Sequence, residues 1–142
     1  MEFSSTHRSW SRRLEGEFGV WDLTPELEAL TAESGVTSGI LSVQVVGSTA
    51  AITTIEYEPG ALEDLRRALD RLLPTDADYA HNERWHDGNG FSHIRSAVLK
   101  TGITIPVIAG RPAVGTWQQV VVINLDNRTR DREVVGVVVG GA

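Results

Sequence analysis

The chain contains no cysteine, which removes a thiolate nucleophile, a disulfide framework and any sulfur ligand for a metal. A bound metal would have to use histidine, aspartate, glutamate or asparagine. Positive charge is also scarce. Thirteen lysines and arginines against 19 acids give a formal net charge of −6, so the molecule repels a phosphate backbone and nonspecific nucleic-acid binding is disfavoured. Long apolar runs are absent as well: no window reaches the roughly 18 apolar residues of a membrane span. The opening MEFSSTHRSWSRR lacks the apolar centre of a signal peptide. These absences predict a cytoplasmic protein that meets neither membrane nor nucleic acid.

What remains is a globular composition. With 41% hydrophobic and 23% charged residues in 142, the chain can bury one core, and a single domain over 1–142 is expected. In Asp22-Leu23-Thr24-Pro25 followed by ELEALTAESG, Thr24 can cap a helix, Pro25 suits its first turn and Gly35 can end it. ALEDLRRALDRLL repeats leucine at Leu62, Leu65, Leu69, Leu72 and Leu73, with Arg71 near its end and Pro74 after it, and reads as a second helix.

From Ile40 to Val46, Leu41, Val43 and Val45 alternate with Ser42 and Gln44, the period of a strand. Further strands are expected at Thr49–Tyr57, Ile103–Ile108, Trp117–Leu125 and Glu133–Val139, with Asp126–Arg130 as a hairpin loop. The sum is an α+β fold dominated by antiparallel strands.

The stretch His81 to Trp117 holds the densest functional chemistry. His81, His86 and His93 are interleaved with Glu83, Asp87 and Asn89, donors that suit a divalent cation such as Mg²⁺ or Zn²⁺. Their spacing matches no compact metal motif. Asp87-Gly88-Asn89-Gly90 predicts a turn, after which Ser92 could cap a helix carrying His93 in its first turn. Free N–H groups at such a helix start also suit an anion. The competing reading is that turn chemistry alone selects these residues.

Beyond this stretch, Trp117 is expected in a core or interface, and Gln118 in a pocket. Gly47-Ser48-Thr49-Ala50 offers hydroxyls and backbone donors to an anion, or is an ordinary small-residue turn. Glu56 and Glu58 share a strand face, where Glu56 could act as a general base or metal ligand and Glu58 is the better candidate for a solvated edge. Arg128, Arg130 and Arg132 alternate as a phosphate clamp would require; Arg132, nearest the strand, is the best placed, while the others fit a solvated hairpin.

Together GSTAAITTIEYEPG, YAHNERWHDGNGFSHIR, IPVIAGRPAVGTWQQVVVINLDNRTR and EVVGVVVGG resemble the YjbQ-like family of secondary thiamine-phosphate synthases, from about Trp21 to Gly140. DxNxxxH followed by GTWQ is specific in combination. The resemblance implies a mixed β-sandwich with two or three helices, assembled as a homotrimer with a polar pocket near subunit boundaries. It carries the family's polar motif onto Thr49, Glu56, His81, Asp87, Asn89, His93, Gln118 and Arg132.

The activity it implies joins a pyrimidine methyl diphosphate to a thiazole phosphate with loss of pyrophosphate. Asp87 and Glu56 would then be Mg²⁺ ligands, with His81 or His93 handling protons; Thr49, Asn89, Gln118 and Arg132 would bind substrate. A metal held by His81, His93 and Asp87, and a noncatalytic trimer that binds a metal or small anionic metabolite, are the other expectations. The chain departs from the family at Gly47, where many members have histidine, and at Lys100-Thr101, where Gly-Pro is commoner.

Overall fold

A computed structural model describes residues 2–142. In chain order the elements are β1 (Phe3–Leu14), β2 (Gly19–Asp22), α1 (Thr24–Ser34), β3 (Ser38–Val46), β4 (Ala50–Ile55), α2 (Pro59–Leu72), α3 (Ala80–Trp85), α4 (Gly90–Leu99), β5 (Gly102–Ile108), β6 (Arg111–Pro112), β7 (Gln119–Asn124) and β8 (Arg130–Gly141). The described pairings are all antiparallel. They build a five-stranded sheet of order β1-β8-β3-β5-β6 and a three-stranded sheet of order β2-β7-β4. The expected α+β sandwich is observed, with four helices in place of two or three.

The small sheet is a middle layer, which explains its composition. Val120 and Val122 face the large sheet and pack with Leu41, Val43, Val45, Ile105, Val107, Val134 and Val138, while Leu27 and Leu30 of α1 close that core. Val121 and Ile123 turn the other way onto Leu65 and Leu69 of α2 and Leu99 of α4. A strand buried on both faces needs apolar residues at every position, and this is why β7 does not alternate. In β3 the predicted alternation holds: Leu41, Val43 and Val45 are buried between exposed partners.

Several local expectations are corrected. Thr24 does not cap α1; its hydroxyl accepts from Val120 N–H at 2.9 Å, tying the helix to β7, while Asp22 accepts from Thr24 N–H at 3.0 Å. Gly35 ends that helix at φ 70°, as expected. Glu58 is no strand residue: its carboxylate accepts from Gly60 and Ala61 N–H and caps α2, leaving Leu72 exposed at the far end. Ser92 lies inside α4, buried, and Asn89 occupies the cap position.

β1 is a polar edge strand, its rungs stitched to β8 from Phe3↔Gly141 to Leu14↔Arg130. Its mostly polar sequence carries no alternation from which to predict it. The most consequential correction concerns Asp126–Arg130, which is not a hairpin loop. β7 and β8 belong to different sheets, so this segment carries the chain across the sandwich.

Candidate functional site

Three connections cross between the sheets at one end of the sandwich: Leu14 to Gly19, Val46 to Ala50, and Asn124 to Arg130. Asn124 ties two of them. Its amide nitrogen donates to the carbonyls of Leu14, Glu15 and Arg128 at 3.0, 3.2 and 3.1 Å. Thr49 joins the third, its carbonyl accepting from Leu125 N–H at 2.9 Å. Buried backbone at such crossings lacks ladder partners, so side chains must satisfy it.

On this frame sits a chain of polar contacts. Arg132, only 6% exposed, donates from Nε and Nη2 to Asn124 Oδ1 at 3.2 and 2.7 Å, and from Nη2 to Thr49 Oγ1 and O at 2.7 and 2.9 Å. Thr49 passes its proton on, donating to Asp126 Oδ2 at 3.0 Å. Arg130 Nε meets the same oxygen at 3.0 Å. Asp126 is fully buried, and its backbone is fixed by Asn124 Oδ1.

Helices α3 and α4 bring the histidines over this base. Asn82 Oδ1 accepts from Gly90 N–H at 2.8 Å, and a side chain on Gly90 would strike Tyr79, so the turn between the helices is tight. Asn127 Nδ2 holds the Asp87 carbonyl at 2.9 Å. The result places the His81 and His93 rings 4.3 Å apart between centroids, tilted by 40°, with His81 Nδ1 3.4 Å from Asp87 Oδ1.

Asn89 connects the two levels, standing between two carboxylates. Its nitrogen lies 3.4 Å from Asp126 Oδ1 in one orientation and 2.9 and 3.2 Å from the Asp87 oxygens in the other. One amide nitrogen cannot serve both sides. With the nitrogen on Asp87, Asp126 keeps Asn127 N–H on Oδ1 at 2.8 Å and Thr49 and Arg130 on Oδ2 at 3.0 Å each.

Electrostatics follow from this layout. Burial and the nearby charge of His81 lower the His93 pKa below its ordinary 6.5, with Asp126 and Asp87 pulling the other way. Burial acts to raise the Asp126 pKa, yet hydrogen bonds from Thr49, Arg130, Asn127 and Asn89 outweigh it and hold the carboxyl below its usual range. Burial is also the main influence lowering Arg132, which stays charged.

Of the expected site residues, the fold gathers Thr49, His81, Asp87, Asn89, His93 and Arg132. It does not bring in Glu56 or Gln118. β4 runs antiparallel to β7 with Ala50 opposite Asn124 and Ile55 opposite Gln119, so Glu56 and Gln118 lie at the other end, about 20 Å along the strand. Gln118 donates to Thr54 Oγ1 at 3.1 Å and lines a groove of about 490 Å³ with Thr24, Glu28, Arg111 and Gln119. Trp117 is 75% exposed in the single chain and so is not part of its core. His86 is exposed at φ 56° as the C-cap of α3 and makes no described contact with the cluster.

Asn124 and Asp126 were not among the expected site residues, and Arg130, read as fitting a solvated hairpin, instead pairs with buried Asp126. Asn124 had a readable signal, an amide inside the buried run VVVINL. Asp126 had none, since turn chemistry accounts for an aspartate there.

Comparison with known proteins matches residues 10–141 to the family described as UPF0047 protein YjbQ-like. A UPF0047 protein of Methanothermobacter thermautotrophicus is 37% identical over 127 residues, covering 89% of this chain and 85% of that protein. UPF0047 protein Rv2556c of Mycobacterium tuberculosis is 35% identical over 113 residues, covering 80% and 83%. Among solved structures, a YbjQ-like protein of unknown function from Sulfolobus solfataricus P2 superposes with a TM-score of 0.92 at 26% identity, covering 98% of this chain and 99% of the other. The hypothetical protein APE1520 of Aeropyrum pernix K1 gives 0.85 at 28% identity, covering 96% and 99%. With nearly its whole length matched in sequence and in fold, the chain belongs to the YjbQ-like UPF0047 family.

Proposed function

We propose that the chain binds a small anionic metabolite at the cluster of His81, Asp87 and His93, where the histidines move protons on the ligand and Arg132 compensates its charge. One observation carries this reading: the contacts among His93, His81 and Asp87 stand beside those among Asp126, Thr49 and Arg132, with the Asn89 amide between them bonding one carboxylate at a time, so proton carriers lie near a buried cation. An imidazole held near neutrality by burial is suited to exchange protons around physiological pH.

A divalent cation, Mg²⁺ or Zn²⁺, held by His81, His93 and Asp87 extends the reading. The donor types fit. As arranged, no three His, Asp or Glu side chains among the described residues converge on one point.

Thiamine-phosphate synthesis is the finer reading, and it rests on the family resemblance alone, because the matched relatives carry no activity in their names. Offering the protein the pyrimidine methyl diphosphate and thiazole phosphate with Mg²⁺ tests it. Product lost in His81→Ala and Asp87→Ala supports it, and equal traces from all three proteins indicate contamination. The noncatalytic alternative predicts metabolite or metal binding with no turnover.

A homotrimer is part of the proposal. The outer face of the large sheet carries Ile40, Pro106, Ile108, Val135, Val137 and Val139 with no helix across it, and an uncovered apolar sheet face supports assembly. No helix among the described residues is long and apolar enough to cross a membrane.

A further inference from the structure

Arg132 is a buried cation whose described contacts are all neutral: Asn124 Oδ1, Thr49 Oγ1 and the Thr49 carbonyl. Asp126, the carboxylate closest in this network, is bonded by Arg130 instead. Buried charge is ordinarily paired, because removing it from water without an opposite charge is costly. Asp126 reaches Arg132 only across the Thr49 hydroxyl, so no described carboxylate bonds the Arg132 guanidinium directly.

The unused part of Arg132 has a defined direction. Its hydrogen bonds come from Nε and Nη2, whereas Nη1 makes none among the described residues. A Cβ built on Gly47 would lie 3.0 Å from Nη1 and, its chain neighbours aside, meet no other atom within 4 Å. The space over Nη1 is open because residue 47 has no side chain. The adjoining turn adds donors, since the N–H groups of Ser48 and Thr49 bond to no described carbonyl or side chain.

We infer that Arg132 Nη1 and the Gly47–Thr49 turn form a subsite for one phosphate or carboxylate group, which would be the anionic end of the metabolite. The inference deepens the proposed function and rests on its reading of this end of the sandwich as the ligand site. Nη1 offers two N–H groups in a fixed plane, and turn amides complete the shell that an oxyanion requires. Asp126, already bonded by Thr49 and Arg130, sets the subsite's limit to a single anionic group.

The test uses the ¹⁵N-labelled full chain titrated separately with inorganic phosphate and with acetate, at ionic strength held constant with chloride. Saturable shifts at the Ser48 and Thr49 amides are expected, and the anion that saturates names the class. Gly47→Ala should weaken that binding tenfold or more, because its methyl fills the space over Nη1. Arg132→Lys keeps the charge, removes Nη1 and should give a similar loss, which guards against a local distortion at the glycine. Arg67→Gln, at an exposed surface pair on α2 outside the site, should leave the shifts at Ser48 and Thr49 in place, and the ring shifts of His81 and His93 in the same titration report the histidine cluster apart from the subsite. No saturable shift at these amides with either anion overturns the inference. So does binding by both Gly47→Ala and Arg132→Lys at wild-type strength.

Discussion

His93 faces His81 at 4.3 Å, and both the burial of His93 and the proximity of His81 favour its neutral form. The unfolded chain therefore binds a proton at this residue more readily than the folded one. Stability attributable to His93 is complete above its unfolded value of about 6.5 and declines as pH falls from there toward the folded value. Thermal melts between pH 8 and pH 5 should show that decline, and His93→Gln should flatten it. A wild-type and variant pair with the same slope would remove His93 as its cause.

Thr49 is the hinge between opposite charges, accepting from Arg132 and donating to Asp126. Thr49→Val keeps the shape and removes both bonds, leaving buried charged groups short of a partner. A loss of about 1–3 kcal/mol is expected, measured by denaturant unfolding. A variant as stable as wild type would show that the hydroxyl is dispensable.

Asp126→Asn is expected to cost more, about 3–5 kcal/mol, since it leaves Arg130 and Arg132 without their buried counter-charge. The Asp126 carboxyl is held below its usual range, so its contribution is present at neutral pH and is lost only as acid protonates it through that lowered value. Unfolding at pH 7 measures the cost, and a change under 1 kcal/mol would contradict the described network.

Lys100 adopts φ 79° and ψ 157°, a region nearly restricted to glycine, where it ends α4 and accepts from Ile52 N–H. Relief of strain in Lys100→Gly should outweigh the added freedom of the unfolded chain and stabilise the protein by about 0.5–2 kcal/mol. Destabilisation on denaturant unfolding would mean that the lysine side chain contributes more than its backbone costs.

The sequence patterns were most legible where periodicity and burial agree. Leu41, Val43 and Val45 in β3 and Leu65 and Leu69 of α2 follow from spacing because each faces one apolar neighbour. β1 was illegible because an edge strand with both faces partly solvated has no pattern to display. The site was visible in the histidines, Asp87 and Asn89 and, in its base, in Thr49 and Arg132, while Asn124 and Asp126 were hidden. Asp126 looks like a turn residue because it is one; only the passage of its loop between sheets, beneath Thr49 and Asn89, turns the side chain inward. Glu56 and Gln118 show the reverse case, motif residues that strand register carries to the far end.

The histidines and the acids act as one electrostatically connected site, so a histidine-resolved NMR titration of His93 should register changes at both His81 and Asp87. Removing the charge of His81 in His81→Ala should raise the His93 midpoint, and removing the carboxylate in Asp87→Asn should lower it. A His93 midpoint that stays at the wild-type value in both variants would contradict the account.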